Sequence, residues 1–272
     1  MNLAVSSIAW AKEEEIEVAE KLRELGVTKV ELAPTKIWED PTKASAEDAQ
    51  KVVEWWNNYG IEVVAFQSML FARPDLKLFE SEENWVECLQ YLKDFIVLAG
   101  RMGAKKMVFG SPKNRQRGEM SYEDAFAIAT NFFSEIAKTA EENNVVFCIE
   151  PNAPQYNCDF VTTAKQGADL VLAVNHPGFG LHLDTACMAL AGDNISQSIH
   201  EYADLLQHFH ISAPMLDQVE QREDVDYTGA AKALSDIKYD KVISLEMRPG
   251  DNVTNVDRIE RAVKFIQSTF ND

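Results

Sequence analysis

Cysteine is scarce in this 272-residue sequence: Cys88, Cys148, Cys158 and Cys187 are the four, and no two form a CxxC pair. That spacing excludes thiolate clusters of the structural zinc type and a disulfide framework. Glycine and proline number only 12 and 9 and nowhere gather into a linker, so residues 1–272 read as a single domain. No apolar run approaches the roughly 18 residues that a membrane helix needs. The opening MNLAVSSIAWAKEEE has no basic region ahead of its short apolar run, which reads as a first strand rather than a signal peptide; a cytoplasmic location is expected. Positive charge is also in short supply, 26 Lys and Arg against 44 Asp and Glu, for a formal net charge of −18. Such a surface repels phosphate backbones and anionic lipid, so neither nucleic acid nor membrane is an expected partner.

What is present is an alternation. Short β-rich runs are LAVSSIAW (from Leu3), KVELAP (from Lys29), IEVVAFQS (from Ile61) and KKMVFGS (from Lys105), followed by VVFCIEP (from Val145), GLHLDT (from Gly180), LLQHFHIS (from Leu205) and KVISLEMRP (from Lys241). Between them lie helical patterns such as EEEIEVAEKLRELG, EENWVECLQYLKDFIVLAGRMG and YEDAFAIATNFFSEIAKTAEENN. Ser121 and Asp159 suit helix N-caps, and Gly26 and Gly103 suit helix stops. Eight strands each followed by a helix close a parallel barrel, so the fold class is α/β and the architecture a (β/α)8 TIM barrel. A doubly wound open sheet would call for a GxGxxG turn after the first strand, and SSIAWAKEEE has none.

In such barrels chemistry sits where strands end. Four consecutive strands end on Glu150, Asp184, His210 and Glu246, each about one βα unit from the next. Side chains alternate faces along a strand. If these four point inward, so do Cys148, His182, His208 and Ser244, while Phe147, Ile149, Leu181, Leu183, Phe209, Ile211, Ile243 and Leu245 point outward. The outward set is wholly apolar, as a helix-covered face requires, and the inward set is polar or small. A mixed carboxylate–imidazole set suits one divalent ion, Mn2+, Mg2+, Co2+ or Zn2+.

The segments CIEPN, LHLDT, HFHIS and SLEMR resemble the corresponding strand ends of the xylose-isomerase-like barrels, the sugar (phosphate) isomerase/epimerase superfamily. In the N-terminal half VELAPTKIW, FQSMLFARPDL and FGSPKNR are similar too. The resemblance implies one divalent ion held by Glu150, Asp184, His210 and Glu246, with Glu150 and Glu246 moving protons on a sugar substrate. The sequence departs from ketose 3-epimerases of that superfamily at three places. Cys187 stands where they place a substrate-binding His, Tyr156 where they place a Glu, and Leu216 where they place an Arg.

Other candidates follow from position. His182 and His208, one inward step below the metal positions, are candidates to bind a sugar hydroxyl or steady a ligand carboxylate. Lys113 and Arg115 follow the fourth strand and Arg248 follows Glu246; all three are candidates to grip a phosphate or carboxylate. Glu31 and Gln67 end the second and third strands and can complete the pocket with hydrogen bonds. Trp10 and Trp38 are candidates for an apolar wall, and the Trp55–Trp56 pair, diverging around a helix, hints at a homo-oligomer contact. His176 and His200 receive no role. The expected activity is a metal-dependent sugar or sugar phosphate isomerisation or epimerisation through a cis-enediolate. The alternatives are an inosose-type dehydratase on the same metal site, an apurinic-site endonuclease, and a sugar-binding barrel without catalysis.

Overall fold

A computed structural model describes residues 2–250 and 254–270. Eight parallel strands run β1 (Leu3–Ser6), β2 (Lys29–Leu32), β3 (Glu62–Phe66), β4 (Lys106–Phe109), β5 (Val146–Ile149), β6 (Phe179–Asp184), β7 (Leu206–Ile211) and β8 (Ile243–Leu245). Each pairs with the next, and β8 pairs back onto β1, closing a barrel in chain order. The fold is the (β/α)8 barrel expected from the alternation. Closure removes both sheet edges.

The helices between the strands are α1 (Glu15–Glu24), α2 (Ala46–Asn58), α3 (Glu82–Met102), α4 (Tyr122–Glu142), α5 (Ala164–Val174), α6 (Thr185–Ala191), α7 (Ile195–Glu201) and α8 (Tyr227–Asp236), with α9 (Asn255–Thr269) after β8. Helix α3 shows why they form where they do. Ser81 Oγ accepts the Asn84 N–H and so satisfies a free amide of the first turn. Cys88, Leu92, Phe95, Ile96, Ala99 and Met102 recur at helical spacing and are buried against the sheet. Gly103 then ends the helix at φ 81°, a conformation only glycine adopts without strain. Ser121 caps α4 in the same way. Asp159 does not cap a helix, contrary to expectation: Thr163 caps α5, and the Asp159 carboxylate accepts the Arg117 and Gly118 amides of the β4–α4 loop.

The strand parity holds. Phe147, Ile149, Leu181, Leu183, Phe209, Ile211, Ile243 and Leu245 all belong to the apolar layer between sheet and helices. Each buried side chain of this size contributes about 1.5–3 kcal/mol. Cys148, His182, His208 and Ser244 are fully buried and lie outside that layer. Register then sets neighbours in the lumen: His182 beside His208, Asp184 beside His210, and His210 beside Ser244. The tryptophans fall elsewhere. Trp10 and Trp56 are buried edge to face in the core, with Trp55 half-buried on Trp56 and Tyr59.

Candidate metal centre

Glu150 and Glu246 sit one residue beyond β5 and β8, Asp184 ends β6, and His210 is the penultimate residue of β7. Their positions are pinned by main-chain bonds that extend the ladder, Glu150 N–H to Phe109 O at 3.1 Å and Glu246 N–H to Ile211 O at 3.0 Å. All four are buried, and one ligand atom from each lies within 4.8 Å of the others. Ligands on opposite sides of an ion with bonds of about 2.1 Å stand roughly 4.2 Å apart, so a small inward movement completes a shell.

Each ligand is aimed by different means. Asp184 has both oxygens engaged: Oδ1 accepts the Cys187 N–H at 2.6 Å and Oδ2 the Ser212 hydroxyl at 2.5 Å. His210 is turned by Glu31, whose carboxylate bridges His210 Nε2 at 2.9 Å and His208 Nε2 at 2.8 Å from across the lumen. Burial alone would raise the Glu31 pKa, but the two imidazoles outweigh it and hold the group ionised. An Nε2–H committed to Glu31 leaves His210 Nδ1 as the face towards the mouth. That nitrogen is buried, 3.4 Å from Glu246 Oε2, and without a hydrogen-bond partner. A histidine whose far nitrogen is held by a carboxylate is the usual arrangement of a metal-ligating imidazole.

The carboxylates repel one another. Burial, then Glu246 and Asp184, push Glu150 up to about 8; burial, then Glu246, push Asp184 up to about 6. A divalent ion would relieve both effects. The orphaned Nδ1, the three converging carboxylates and the oxygen–nitrogen donor set fit such an ion.

Above the ligands lies a cavity of about 210 Å3 lined by Gln67, Ser68, Val108, Gly110, Ser111, Pro112, Glu150, Asn152, Tyr156, Asp184, Cys187, Leu216 and Glu246. Gln67 thus reaches the pocket as expected, donating to Ser6 Oγ at 2.5 Å. His182 and His208 form a buried floor with His210, ring centroids 4.2–5.4 Å apart, and His182 has neither nitrogen partnered. They do not line the cavity. Among the larger hollows are two of about 470 and 740 Å3 on the outer surface; the second is where Trp38 sits. Among the described residues, neither has a carboxylate–imidazole cluster.

The three cations expected to grip an anion are not brought to the site. Arg115 is fully buried and points away, donating to the carbonyls of Phe109, Glu150, Phe160 and Val161 and to Asn152 Oδ1. It clasps the β5–α5 loop, where Val161 is held at φ 57°, a costly conformation for a β-branched residue. Lys113 is exposed on the same turn, and Arg248 is exposed beside Asp217 and Glu220 in a separate surface hollow. The apolar wall comes from Val108, Pro112, Tyr156 and Leu216, not from Trp10 and Trp38.

Comparison with known proteins agrees with this architecture. A D-psicose 3-epimerase of Ruminiclostridium cellulolyticum is 29% identical over 131 residues, covering 47% of this chain and 44% of that protein. The matched stretch therefore spans less than half the length of that relative. Among solved structures, an L-ribulose 3-epimerase superposes with a TM-score of 0.82 at 18% identity, covering 99% of this chain and 94% of the other. The IOLI protein with a bound zinc atom superposes with a TM-score of 0.76 at 20% identity, covering 100% and 98%. At these identities the superpositions establish the fold. The sequence pattern of the xylose isomerase-like TIM barrel matches residues 19–269, nearly the whole barrel. This chain belongs to the xylose isomerase-like TIM-barrel family.

Proposed function

We propose that the protein is a divalent-metal-dependent sugar isomerase or epimerase that transfers a proton through a cis-enediolate. The observation that carries the reading is the division of labour among the three carboxylates. Asp184 is tied at both oxygens and suited only to holding the ion. Glu150 and Glu246 flank it from β5 and β8, with looser restraints: a Cys187 thiol 3.7 Å from Glu150 Oε1, and His210 Nδ1 3.4 Å from Glu246 Oε2. One glutamate would take a proton from the carbon beside the substrate carbonyl, and the other would return one to the opposite face or to the next carbon. Mn2+, Mg2+, Co2+ or Zn2+, when bound, supplies the positive charge that stabilises the enediolate oxygens. The epimerase names among its relatives support the same class of substrate.

The substrate is an uncharged sugar. Among the described residues no lysine or arginine lines the cavity, while three carboxylates do, so a phosphate would meet no cationic partner there.

Turnover of a panel of ketoses, aldoses and inososes in heavy water tests the reading. Deuterium is expected on the carbon beside the carbonyl, or on its neighbour after isomerisation. Glu150→Gln and Glu246→Gln should each lower turnover by at least about 10²-fold, the scale of losing a general base. Product free of deuterium at early time points would rule out the two-glutamate route, and loss of one water would reassign the enzyme as a dehydratase.

A further inference from the structure

Beneath the candidate centre the lumen holds a second convergence of donors, made wholly of nitrogen. His182 on β6 and His208 and His210 on β7 are fully buried, and one ring nitrogen from each lies within 4.8 Å of the other two. Three atoms so placed stand at most about 2.8 Å from a common centre. A zinc–imidazole bond is roughly 2.0–2.1 Å, so inward shifts of about 0.7 Å bring all three into contact with one ion.

Packing alone gives no account of His182. Neither of its ring nitrogens has a hydrogen-bond partner, although the side chain is fully buried. An unsatisfied buried polar group costs about 1–3 kcal/mol, which an apolar ring of the same size would avoid. His208 is half in the same position: Glu31 engages its Nε2 at 2.8 Å, while its Nδ1 is buried without a partner. A neutral imidazole that donates Nε2–H to a carboxylate keeps one lone pair, at Nδ1. Glu31 therefore presents His208 as it presents His210, one nitrogen held and the other free, and it sets negative charge beside the trio.

We propose that His182, His208 and His210 form a second cation site, in the barrel floor, for an ion that favours imidazole, Zn2+ above all. His210 belongs to both groups of ligands and has one lone pair to give, so the floor site and the carboxylate site fill one at a time. Ligand chemistry divides the ions between them: the carboxylate-rich set suits Mn2+ and Mg2+, and the all-imidazole set suits Zn2+. Zn2+ taken into the floor withdraws His210 from the mouth, which makes the floor site an antagonist of the upper one.

Asp184→Asn weakens the carboxylate site and leaves the three histidines in place, so it isolates the floor. In equilibrium dialysis against excess Zn2+, metal-free Asp184→Asn protein is expected to take up about one zinc per chain. With Co2+ instead, the strong visible bands of a low-coordinate nitrogen site are expected, not the weak bands of a six-coordinate oxygen-rich one. Adding His182→Phe should weaken Zn2+ binding by about 100-fold or more. The metal-free Tm should stay level or rise, because the phenyl ring strands no polar atom. Wild-type protein should hold about one zinc rather than two. No zinc uptake by Asp184→Asn, weak cobalt bands, zinc binding undiminished by His182→Phe, or two zinc ions in the wild type would each overturn the proposal. Should the double variant fail to fold, the cobalt spectrum of Asp184→Asn decides alone. The carboxylate site stands or falls separately, on Mn2+ binding by the wild type.

Discussion

Gly110, at the end of β4, is where a single methyl group should disable the metal centre without disturbing the barrel. A Cβ at this position would fall well inside 3.0 Å of Glu150 Oε2 and 3.2 Å from Asn152 Oδ1. Restoring an ordinary contact requires the Glu150 carboxylate to retreat by about 1 Å. Metal sites tolerate bond-length departures of only about 0.2 Å, so the retreat removes Glu150 from the shell. Disturbing a residue that merely supports a ligand typically costs 10- to 100-fold in metal affinity, and displacing the ligand itself should cost about 100-fold or more. The backbone at Gly110 lies outside the left-handed region, so alanine fits the main chain. Its narrower unfolded ensemble would by itself add about 0.4–1 kcal/mol of stability. Gly110→Ala should therefore melt in the metal-free state at or slightly above wild type, while its Mn2+ affinity, read by calorimetry, drops about 100-fold. Wild-type affinity in this variant would mean that Glu150 does not ligate the ion, and a collapsed metal-free melt would mean that Gly110 serves packing instead.

Asp184→Asn and His210→Ala should each sharply reduce metal content by elemental analysis while circular dichroism remains that of the wild type; retained metal in both would sink the site. The metal-free protein should lose stability as pH rises from about 5 to 8, because Glu150 and Asp184 have folded pKa values, about 8 and about 6, above their unfolded ones, and an acid shifted upwards is destabilising once its unfolded form ionises. Metal relieves that repulsion, so the rise in Tm on adding Mn2+ should be larger at pH 8 than at pH 5.5; an equal rise at both would refute it. Arg115→Met should destabilise the fold by about 3 kcal/mol or more, since buried carbonyl oxygens lose their donor, whereas Lys113→Met should stay within about 0.5 kcal/mol; denaturant melts separate the two.

The barrel was readable because β5 to β8 each carry two independent signals, an alternating pattern and a flanking helical period, and both agree with closure in chain order. The convergence of the four candidate ligands was readable for the same reason, since strand parity assigns Glu150, Asp184, His210 and Glu246 to one face. Long cations in loops were not. Topology places the Pro112–Arg115 turn on the mouth side of the sheet, but which way the long Arg115 side chain folds depends on acceptors supplied some 45 residues later by Phe160 and Val161. Glu31 is the opposite case. An acid flanked by Val30 and Leu32 in a buried strand signals a lumenal partner, yet that partner lies on β7, beyond any local pattern.

That span of 177 to 179 residues between Glu31 and the two histidines has a bearing on how the protein comes into being. All four candidate ligands lie in the C-terminal half of the chain, but the group that orients one of them is made near the start of synthesis. A nascent chain has presented β2 long before His208 and His210 leave the ribosome, and Glu31 must wait in an incomplete lumen until β7 docks across from it. The imidazole gains its fixed orientation only once β7 lies opposite β2, so capture of an ion at the candidate site would double as a check on assembly. An ion meeting a half-built barrel would find carboxylates without their aimed histidine, which would favour loading after the fold is finished.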